Sequence, residues 1–346
     1  MRLQKRWGRQ SAVCIMKPYQ IKEGGDMASV EVLEAKKYVS QRKTRTKRLW
    51  KYRSLIILAL PGALLLFINN YLPMFGIFLA FKNLNYTDGI LGSKWVGLDN
   101  FKFLFISNDA WMIIRHTLLY NVSFLIINTV LAILLALLLN EVKNRFLSKF
   151  FQSTVILPNF ISMVIVGFIV YSFLNPELGF VNKFILEPMG REPINWYSTP
   201  EPWPYILTLV NAWKNVGYSA IVYLAAIIGI DPEYYEAAVI DGASRWKQMT
   251  KITVPLIAPV IIVLTLLAIG KIFNADFGLF YQATMASGML KETTDVIDTY
   301  VYNALMVTGD TGLASSAGLL QSVVGFVLVI SVNLVIRKFS KENALF

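Results

Sequence analysis

Residues 231–255, DPEYYEAAVIDGASRWKQMTKITVP, form a short polar stretch between two long apolar segments. Asp231 is a residue type that caps helices, and Pro232 suits the first helical position, where its missing N–H costs nothing. Gly242 is expected to end this helix, and Ser244 to cap a second one. The stretch therefore predicts a helix–turn–helix insert that docks into another surface.

A motif within this insert resembles the EAA loop of bacterial ABC-importer permeases, whose pattern is EAA, three residues, Gly, nine residues and I-x-L-P. This chain matches the pattern at Glu236, Ala237, Ala238, Gly242, Ile252 and Pro255. Val254 stands where the family usually has leucine, and the longer string YYEAAVIDGAS is similar to the sugar-importing branch. In addition, residues 69–85 resemble the added first helix of a subgroup that imports polysaccharide fragments.

This resemblance implies that the insert is the coupling helix, which lies in a cleft of a separate ATPase subunit. Within it, Gly242 would supply the bend and Glu236 a polar anchor. The residues to which the resemblance assigns ATPase coupling are Glu236, Ala237, Ala238, Asp241, Gly242, Ala243 and Arg245. The alternative is an amphipathic cytoplasmic hairpin in which the EAA spacing is accidental.

The composition independently indicates a membrane protein. The chain is 55% hydrophobic with a mean hydropathy of +0.51, which is too apolar for an ordinary soluble domain. Its formal net charge of +11 resides in residues 1–53, because the remainder holds equal numbers of basic and acidic residues. A basic segment next to a membrane span marks the cytoplasmic side and meets anionic lipid, so no nucleic-acid partner is expected.

The single cysteine, Cys14, excludes an intrachain disulfide framework, and with one histidine, His116, a multi-histidine metal site is excluded too. No secretory signal is evident. Residues 23–26 can be encoded by a purine-rich string like a ribosome-binding site directly before Met27. We therefore expect translation to begin at Met27 rather than Met1. A peptide containing Gln4 or Trp7, found by mass spectrometry of the native protein, would refute this.

Six apolar segments are each near or above the roughly 20 residues that cross a bilayer. They cover residues 54–81, 117–140, 150–174, 205–230, 255–273 and 314–336. Lys and Arg are concentrated in the N-terminal segment and in alternate connections, which places both termini in the cytoplasm of a bacterial cell membrane. The predicted fold is all-α with six transmembrane helices, and the resemblance implies a type I ABC-importer permease.

The predicted organisation follows from these spans and from the extent of the resemblance. The parts are a basic cytoplasmic segment 1–53, a first transmembrane helix 54–81, an extracellular connection 82–112, a permease module 113–337 with five helices, and a cytoplasmic tail 338–346. The outer connections are aromatic, which favours an interfacial belt or, alternatively, a platform for an extracellular binding protein.

The chain carries no sequence signature of an ATP-hydrolysing domain. It contains no phosphate-cradling G-x-x-x-x-G-K-[ST] loop, and residues 242–247 lack the second glycine and the Ser/Thr of that pattern. No catalytic triad or paired-carboxylate site is supported either. We therefore expect a transport subunit without catalytic residues, cofactor or metal, and two copies of a separate ATPase.

A polar stripe in the fourth span is a candidate solute path. Charged residues inside a membrane are costly, so Lys214 invites a functional interpretation. The predicted path residues are Asn211, Trp213, Lys214, Asn215, Tyr218 and Asn274. Amides bind sugar hydroxyls, an aromatic ring stacks on a sugar face, and a cation attracts uronic acids. The alternative is a buried polar seam between helices, with Lys214 snorkelling outward.

Other intramembrane polar residues have two interpretations as well. Lys271, Asn274 and Asp276 form either a salt-bridged gate or part of the interface. Asn121, Asn128 and Gln321 are expected to make hydrogen bonds between helices rather than to contact a ligand.

The sequence as a whole predicts the permease subunit of an ABC importer for oligosaccharides. The expected partners are a second homologous permease, giving a heterodimer, two ATPases, an extracellular solute-binding protein and membrane lipid; a homodimer remains open. One alternative is an ABC importer for another solute, such as amino acids or phosphate. The other is a secondary transporter or channel, which should show an inverted repeat.

Overall fold

The computed structural model of the chain describes residues 52–106 and 108–339. The basic segment up to residue 51, with Cys14 and both possible start residues, lies outside the described residues, as does the end of the predicted tail. The chain divides into two units, one ending at Pro73 and the other beginning at Met74.

The described residues form helices almost throughout. The α-helices are α1 Arg53–Leu66, α2 Gly89–Gly92, α3 Asp99–Ile106, α4 Asn108–Asn140, α5 Arg145–Phe160, α6 Met163–Leu174, α7 Trp203–Ile228, α8 Glu233–Ile240, α9 Arg245–Gln248, α10 Val254–Leu256, α11 Ala258–Ile269, α12 Lys291–Thr294, α13 Ile297–Met306 and α14 Thr311–Phe339. Two short strands, β1 Lys82–Asn83 and β2 Lys94–Trp95, pair antiparallel.

Tighter and wider helical turns complete the secondary structure. The 3₁₀ turns are Leu72–Phe81, Glu187–Met189, Trp196–Ser198 and Gly288–Leu290, and the π turns are Phe67–Tyr71, Asn182–Leu186, Met249–Thr253 and Leu279–Ala283.

By length and composition, up to six segments of the described chain can cross a membrane. Three are single helices, Arg53–Phe81, Asp109–Asn140 and Thr311–Lys338. The other three are pairs of helices bent at a short break, and they count as spans if each pair is taken together.

The first unit contains α1 and the turns that follow it. Pro61 lies inside the regular helix, and the geometry changes only after Leu66. In the π turn, Asn69 and Asn70 donate their side-chain amides to the carbonyls of Leu65 and Leu66, at 2.9 and 3.1 Å. The side chains therefore satisfy carbonyl groups at a place where the backbone departs from the α-helix.

The second unit contains a core built on close packing of α4, α5 and α7. Gly217 on α7 approaches α5 so closely that an added Cβ would lie 1.7 Å from the carbonyl oxygen of Val155. Small and branched side chains, including Ala132, Ala136 and Ala220, are buried around this contact. Only a glycine at position 217 permits these two backbones to meet, as at other close helix crossings in membranes.

The third predicted span, residues 150–174, is not one straight helix. Helices α5 and α6 are bent by 96° at residues 161–162. Pro158 lies near the end of α5, and Ser162 begins the new helix by accepting a hydrogen bond from the Ile165 N–H at 3.4 Å. The hydropathy of this segment gave no sign of the break, because apolar residues continue across it.

The fifth predicted span, residues 255–273, is also shorter and bent. The segment Arg245–Leu256 meets α11 at 58°. Helix α11 ends at Ile269, and residues 270–276 then follow an irregular path. Since irregular backbone at membrane depth occurs where it lines a cavity or is buried in protein, this segment marks a place of functional interest.

Candidate functional site

The insert 231–255 folds as a tight helical hairpin at the end of α7. The side chain of Asp231 accepts a hydrogen bond from the Glu233 N–H at 3.0 Å, and Pro232 precedes α8. At the other end of α8, Gly242 has a φ of +72° and the Ala243 N–H donates to the Ala238 carbonyl at 2.9 Å. This is a Schellman ending, in which a left-handed residue lets the next N–H satisfy a helix carbonyl.

The second arm of the hairpin is fastened to the first. Ser244 caps α9 by accepting from the Lys247 N–H at 3.4 Å. The buried Gln248 donates its amide to the Ala243 carbonyl at 3.0 Å, and the Tyr235 hydroxyl lies 2.9 Å from the Thr253 hydroxyl. These last two contacts were not predicted from the sequence. Polar side chains such as Tyr235, Gln248 and Thr253 in so short an insert could have indicated hydrogen bonds between its two arms.

The predicted coupling residues do not all have the same environment. Ala238 is buried and Ala243 half-buried, whereas Glu236, Ala237, Asp241, Gly242 and Arg245 are exposed. The hairpin also exposes large apolar side chains that the motif did not single out: Tyr234, Val239, Ile240 and Trp246. Ile240 is 86% exposed, and such a group of apolar side chains on a polar loop is typical of a docking surface.

The hairpin is joined to the bundle at both ends, by α7 before it and by the π turn Met249–Thr253, α10 and α11 after it. Helix α7 has 26 residues and therefore a length of about 39 Å. It meets α8 at an angle of 74°, so α8 lies across the end of α7.

A polar cavity of about 580 Å³ lies beside the middle of α4 and α7. Its polar lining consists of Asn121, Asn128, Thr129, Asn211, Asn215, Tyr218, Ser219, Tyr223, Lys271, Asn274 and Asp276, and apolar residues, Phe124 among them, complete the wall. Four of the six residues predicted to lie on the solute path, Asn211, Asn215, Tyr218 and Asn274, are thus brought together.

The amides of this cavity are only partly satisfied. Asn128 on α4 donates to the Asn211 side-chain oxygen on α7 at 2.8 Å, which confirms the expected bond between helices. Asn215 donates to the Asn211 carbonyl at 3.1 Å. The buried Oδ1 atom of Asn128, however, accepts no hydrogen bond from any described residue. A buried acceptor without a donor is costly, so this pair of amides is a weak point in the packing of α4 against α7 beside the cavity.

The structure does not bring Trp213 and Lys214 to the cavity. The Lys214 side chain is buried and directed to the break between α5 and α6. Its Nζ donates to the carbonyls of Pro158, Asn159 and Ile161 at 3.3, 3.1 and 2.5 Å. The ammonium group therefore satisfies the free carbonyls at the end of α5, where the helix dipole also favours a positive charge.

The irregular segment 270–276 is held in place by side chains from three other helices. Asn121 of α4 donates to the Ile272 carbonyl at 2.9 Å, and Gln321 of α14 to the Phe273 carbonyl at 2.7 Å. Asp298 of α13 accepts from the Ala275 N–H at 2.6 Å and from Gln321 at 3.1 Å. Burial raises the pKa of Asp298, and these hydrogen bonds oppose the shift.

Lys271 and Asp276 both line the cavity, but within the described parts of the chain no ion pair joins them. The gate proposed from the sequence is therefore not closed by a salt bridge in this structure. Within residues 52–106 and 108–339, no group of three or more His, Cys, Asp and Glu side chains is placed to hold a metal ion.

The bundle of bent spans and the hairpin together define the membrane component of an importer. The family model described as the binding-protein-dependent transport system inner membrane component matches residues 128–341, and the chain belongs to this family. The predicted membership and the all-α permease fold are thereby confirmed, and the chain is a multi-pass transport subunit.

Curated relatives agree with this assignment. The chain is 35% identical to Protein LplB of Bacillus subtilis over 312 residues, which cover 90% of this chain and 96% of that protein. It is 37% identical to the polygalacturonan/rhamnogalacturonan transport system permease protein YteP of the same organism, over 88% of this chain and 94% of the relative.

Solved structures agree as well. A chain of a bacterial ABC transporter involved in the import of the acidic polysaccharide alginate is 35% identical and superposes with a TM-score of 0.78, over 86% of this chain and 99% of that one. A bacterial alginate ABC transporter in complex with an alginate pentasaccharide-bound periplasmic protein contains a chain that matches with a TM-score of 0.77, over 85% of this chain and 98% of that one.

Proposed function

We propose that this permease passes oligosaccharides inward through the polar cavity between α4, α7 and the segment 270–276. The observation that carries the proposal is the cavity itself, which five asparagines line together with Tyr218. Sugars present many hydroxyl donors, and Tyr218 adds a ring on which a sugar face can stack. The functions for which YteP and the alginate transporter are named support the same class of solute.

The energy comes from ATP hydrolysed on separate subunits, two copies of which bind the hairpins of a permease pair. The exposed side chains of α8 and α9 support this, because they offer the apolar surface that a cleft on an ATPase can cover. Closure of the ATPases would move α8, and α7 would carry the movement to the cavity at its middle. Lys214 would carry it further, since its ammonium ties α7 to the break between α5 and α6.

The partners complete the transport path. The proposed assembly pairs this chain with a second, related permease and receives solute from an extracellular binding protein, for which the alginate complex offers a precedent. Both termini and the hairpin would then face the cytoplasm, in agreement with the distribution of Lys and Arg.

Reconstitution tests the proposal. The chain, its partner permease, its ATPase and its binding protein are placed in proteoliposomes, and ATP-dependent uptake is measured with a panel of neutral and acidic oligosaccharides, amino acids and phosphate. We expect uptake of an oligosaccharide and ATP hydrolysis stimulated by the loaded binding protein. Uptake of an amino acid or phosphate alone, or uptake without any ATPase partner, would contradict it.

A further inference from the structure

The segment 270–276 presents its two charged residues to the cavity in a fixed arrangement. The amides of Asn121 and Gln321 and the carboxylate of Asp298 hold the backbone between Ile272 and Ala275. These bonds connect residues from 23 to 151 positions apart in the sequence, so three separate helices determine the path of the segment. Lys271 and Asp276 stand on either side of the braced backbone, which reduces the freedom with which they meet a solute.

The two charges are not equally available. The Asp276 carboxylate accepts a hydrogen bond from the Leu279 N–H at 3.2 Å, so part of its capacity is used within the chain. The exposed Lys271 ammonium, by contrast, makes no ion pair or side-chain hydrogen bond with any residue the structure describes. Lys271 is therefore the cation that the cavity offers to its contents.

We propose that Lys271 determines specificity for acidic oligosaccharides by donating to the carboxylate of a uronic acid residue in the cavity. This inference rests on the proposed function and names its solute class. A carboxylate that leaves bulk water gains most from a compensating cation, and the neighbouring amides serve the hydroxyls of the same sugar. The role that the sequence suggested for Lys214 thus belongs to Lys271, because the Lys214 ammonium is occupied by three backbone carbonyls.

The test compares a sugar acid with its own ester. Proteoliposomes containing the complete transporter and its binding protein are supplied with trigalacturonate or trimannuronate and with the fully methyl-esterified form of each. Wild-type uptake should favour the acid. Lys271→Met should raise the apparent KM for the acid about tenfold, the usual effect of losing a charged hydrogen bond, and leave uptake of the ester unchanged. Lys271→Arg should retain the preference.

Two further variants separate this role from a general effect of charge. Lys183→Met removes a lysine that pairs with Glu187 away from the cavity, at 2.7 Å, and should leave both rates unchanged. Asp276→Asn keeps an oxygen for the Leu279 N–H but removes the negative charge of the cavity, so it should strengthen the preference for the acid. Co-purification of the partners and basal ATPase activity show that each variant assembles.

The outcomes are distinct. If Lys271→Met lowers uptake of acid and ester equally, Lys271 supports the fold and the inference is wrong. If the wild type imports neutral oligosaccharides and rejects both uronides, the inference is wrong although the proposed function stands. If no oligosaccharide of any kind is imported, the proposed function itself fails.

Discussion

The hairpin 231–255 and the cavity both carry polar groups in an apolar protein, but they are built from different kinds of contact. In the hairpin, Ala243 bonds to Ala238, and Gln248 bonds to Ala243. In the cavity, Asn128 bonds to a residue 83 positions away, and Asn121 to one 151 positions away. The hairpin is thus a local structure that can move as a unit, whereas the cavity exists only when several helices are packed together.

The largest effect is expected from Gly242→Val, which disrupts the left-handed turn between the two arms of the hairpin. The φ of +72° is strained for a β-branched residue, although no atom lies within 4 Å of an added Cβ. A strain of about 3 kcal/mol would lower uptake by roughly 100-fold through loss of ATPase docking, while insertion into the membrane stays normal. Co-purification of the ATPase and uptake by proteoliposomes measure this.

Two control variants test whether the positive φ at position 242 causes the loss of uptake. Gly242→Asn should retain much of the activity, because Asn tolerates the left-handed conformation. Gly229→Ala, at a glycine with an ordinary φ of −77°, should behave like the wild type. Normal uptake by Gly242→Val would show that the hairpin does not need this turn.

The next effect tests the contact that ties α7 to the break between α5 and α6. Lys214→Met leaves the carbonyls of Pro158, Asn159 and Ile161 without the ammonium donor. Because unsatisfied buried groups are costly, we expect a loss of about 1–3 kcal/mol in stability and a lower thermal midpoint of the purified complex. Lys214→Arg should retain part of this stability, because the guanidinium can still donate to these carbonyls. An unchanged midpoint for Lys214→Met would mean that the break between α5 and α6 holds without this residue.

These two regions also explain how far the sequence could be interpreted. The turn at Gly242 and the caps at Asp231 and Ser244 depend on neighbouring residues, so the sequence predicted them. The position of Lys214 depends on the break at residues 161–162, which the high hydropathy of residues 150–174 concealed although Pro158 and Asn159 lie just before it. The sequence led us to expect Lys214 either in the solute path or in a buried polar seam between helices, snorkelling outward. The structure agrees with the buried contact between helices, but the side chain is directed to the break and not outward.

The cavity also shows which contacts could be predicted from the sequence and which could not. A stripe at helical spacing correctly grouped Asn211, Asn215 and Tyr218, because one helix carries all three. The involvement of Asn128 and Lys271 depends on how α4 and the end of α11 pack against that helix. Such contacts between distant segments leave no periodic signal in one sequence, so only the folded chain reveals them.

A smaller effect is expected at the cavity itself. Asn128→Leu removes the Oδ1 acceptor that has no partner among the described residues. If the pair of amides formed by Asn128 and Asn211 contributes to sugar binding, uptake should fall by about five- to tenfold, the value of one hydrogen bond. Stability should fall as well, because the Asn211 side-chain oxygen loses the donor that Asn128 supplies at 2.8 Å. Ser322→Ala, which removes a hydroxyl bonded only within its own helix, is the matched control. Uptake by Asn128→Leu equal to that of the control would place the solute elsewhere.

The smallest effect concerns the bracing of segment 270–276 and its dependence on pH. Burial raises the pKa of Asp298, so the folded state binds this proton more tightly than the unfolded chain. Protonation therefore stabilises the folded state, and this contribution is lost as the pH rises through the folded-state pKa. Asp298→Asn cannot titrate, yet its amide oxygen still accepts from the Ala275 N–H.

The stability difference between Asp298→Asn and the wild type should thus favour the variant at neutral pH and should shrink as the pH falls toward the ordinary carboxyl pKa of about 4. Thermal midpoints measured across this range test it, with Asp99→Asn at an exposed ion pair as the control. A difference in thermal midpoint that does not change with pH would mean that Asp298 stays ionised. In that case the hydrogen bonds from Ala275 and Gln321 would offset the cost of burying its carboxylate in full.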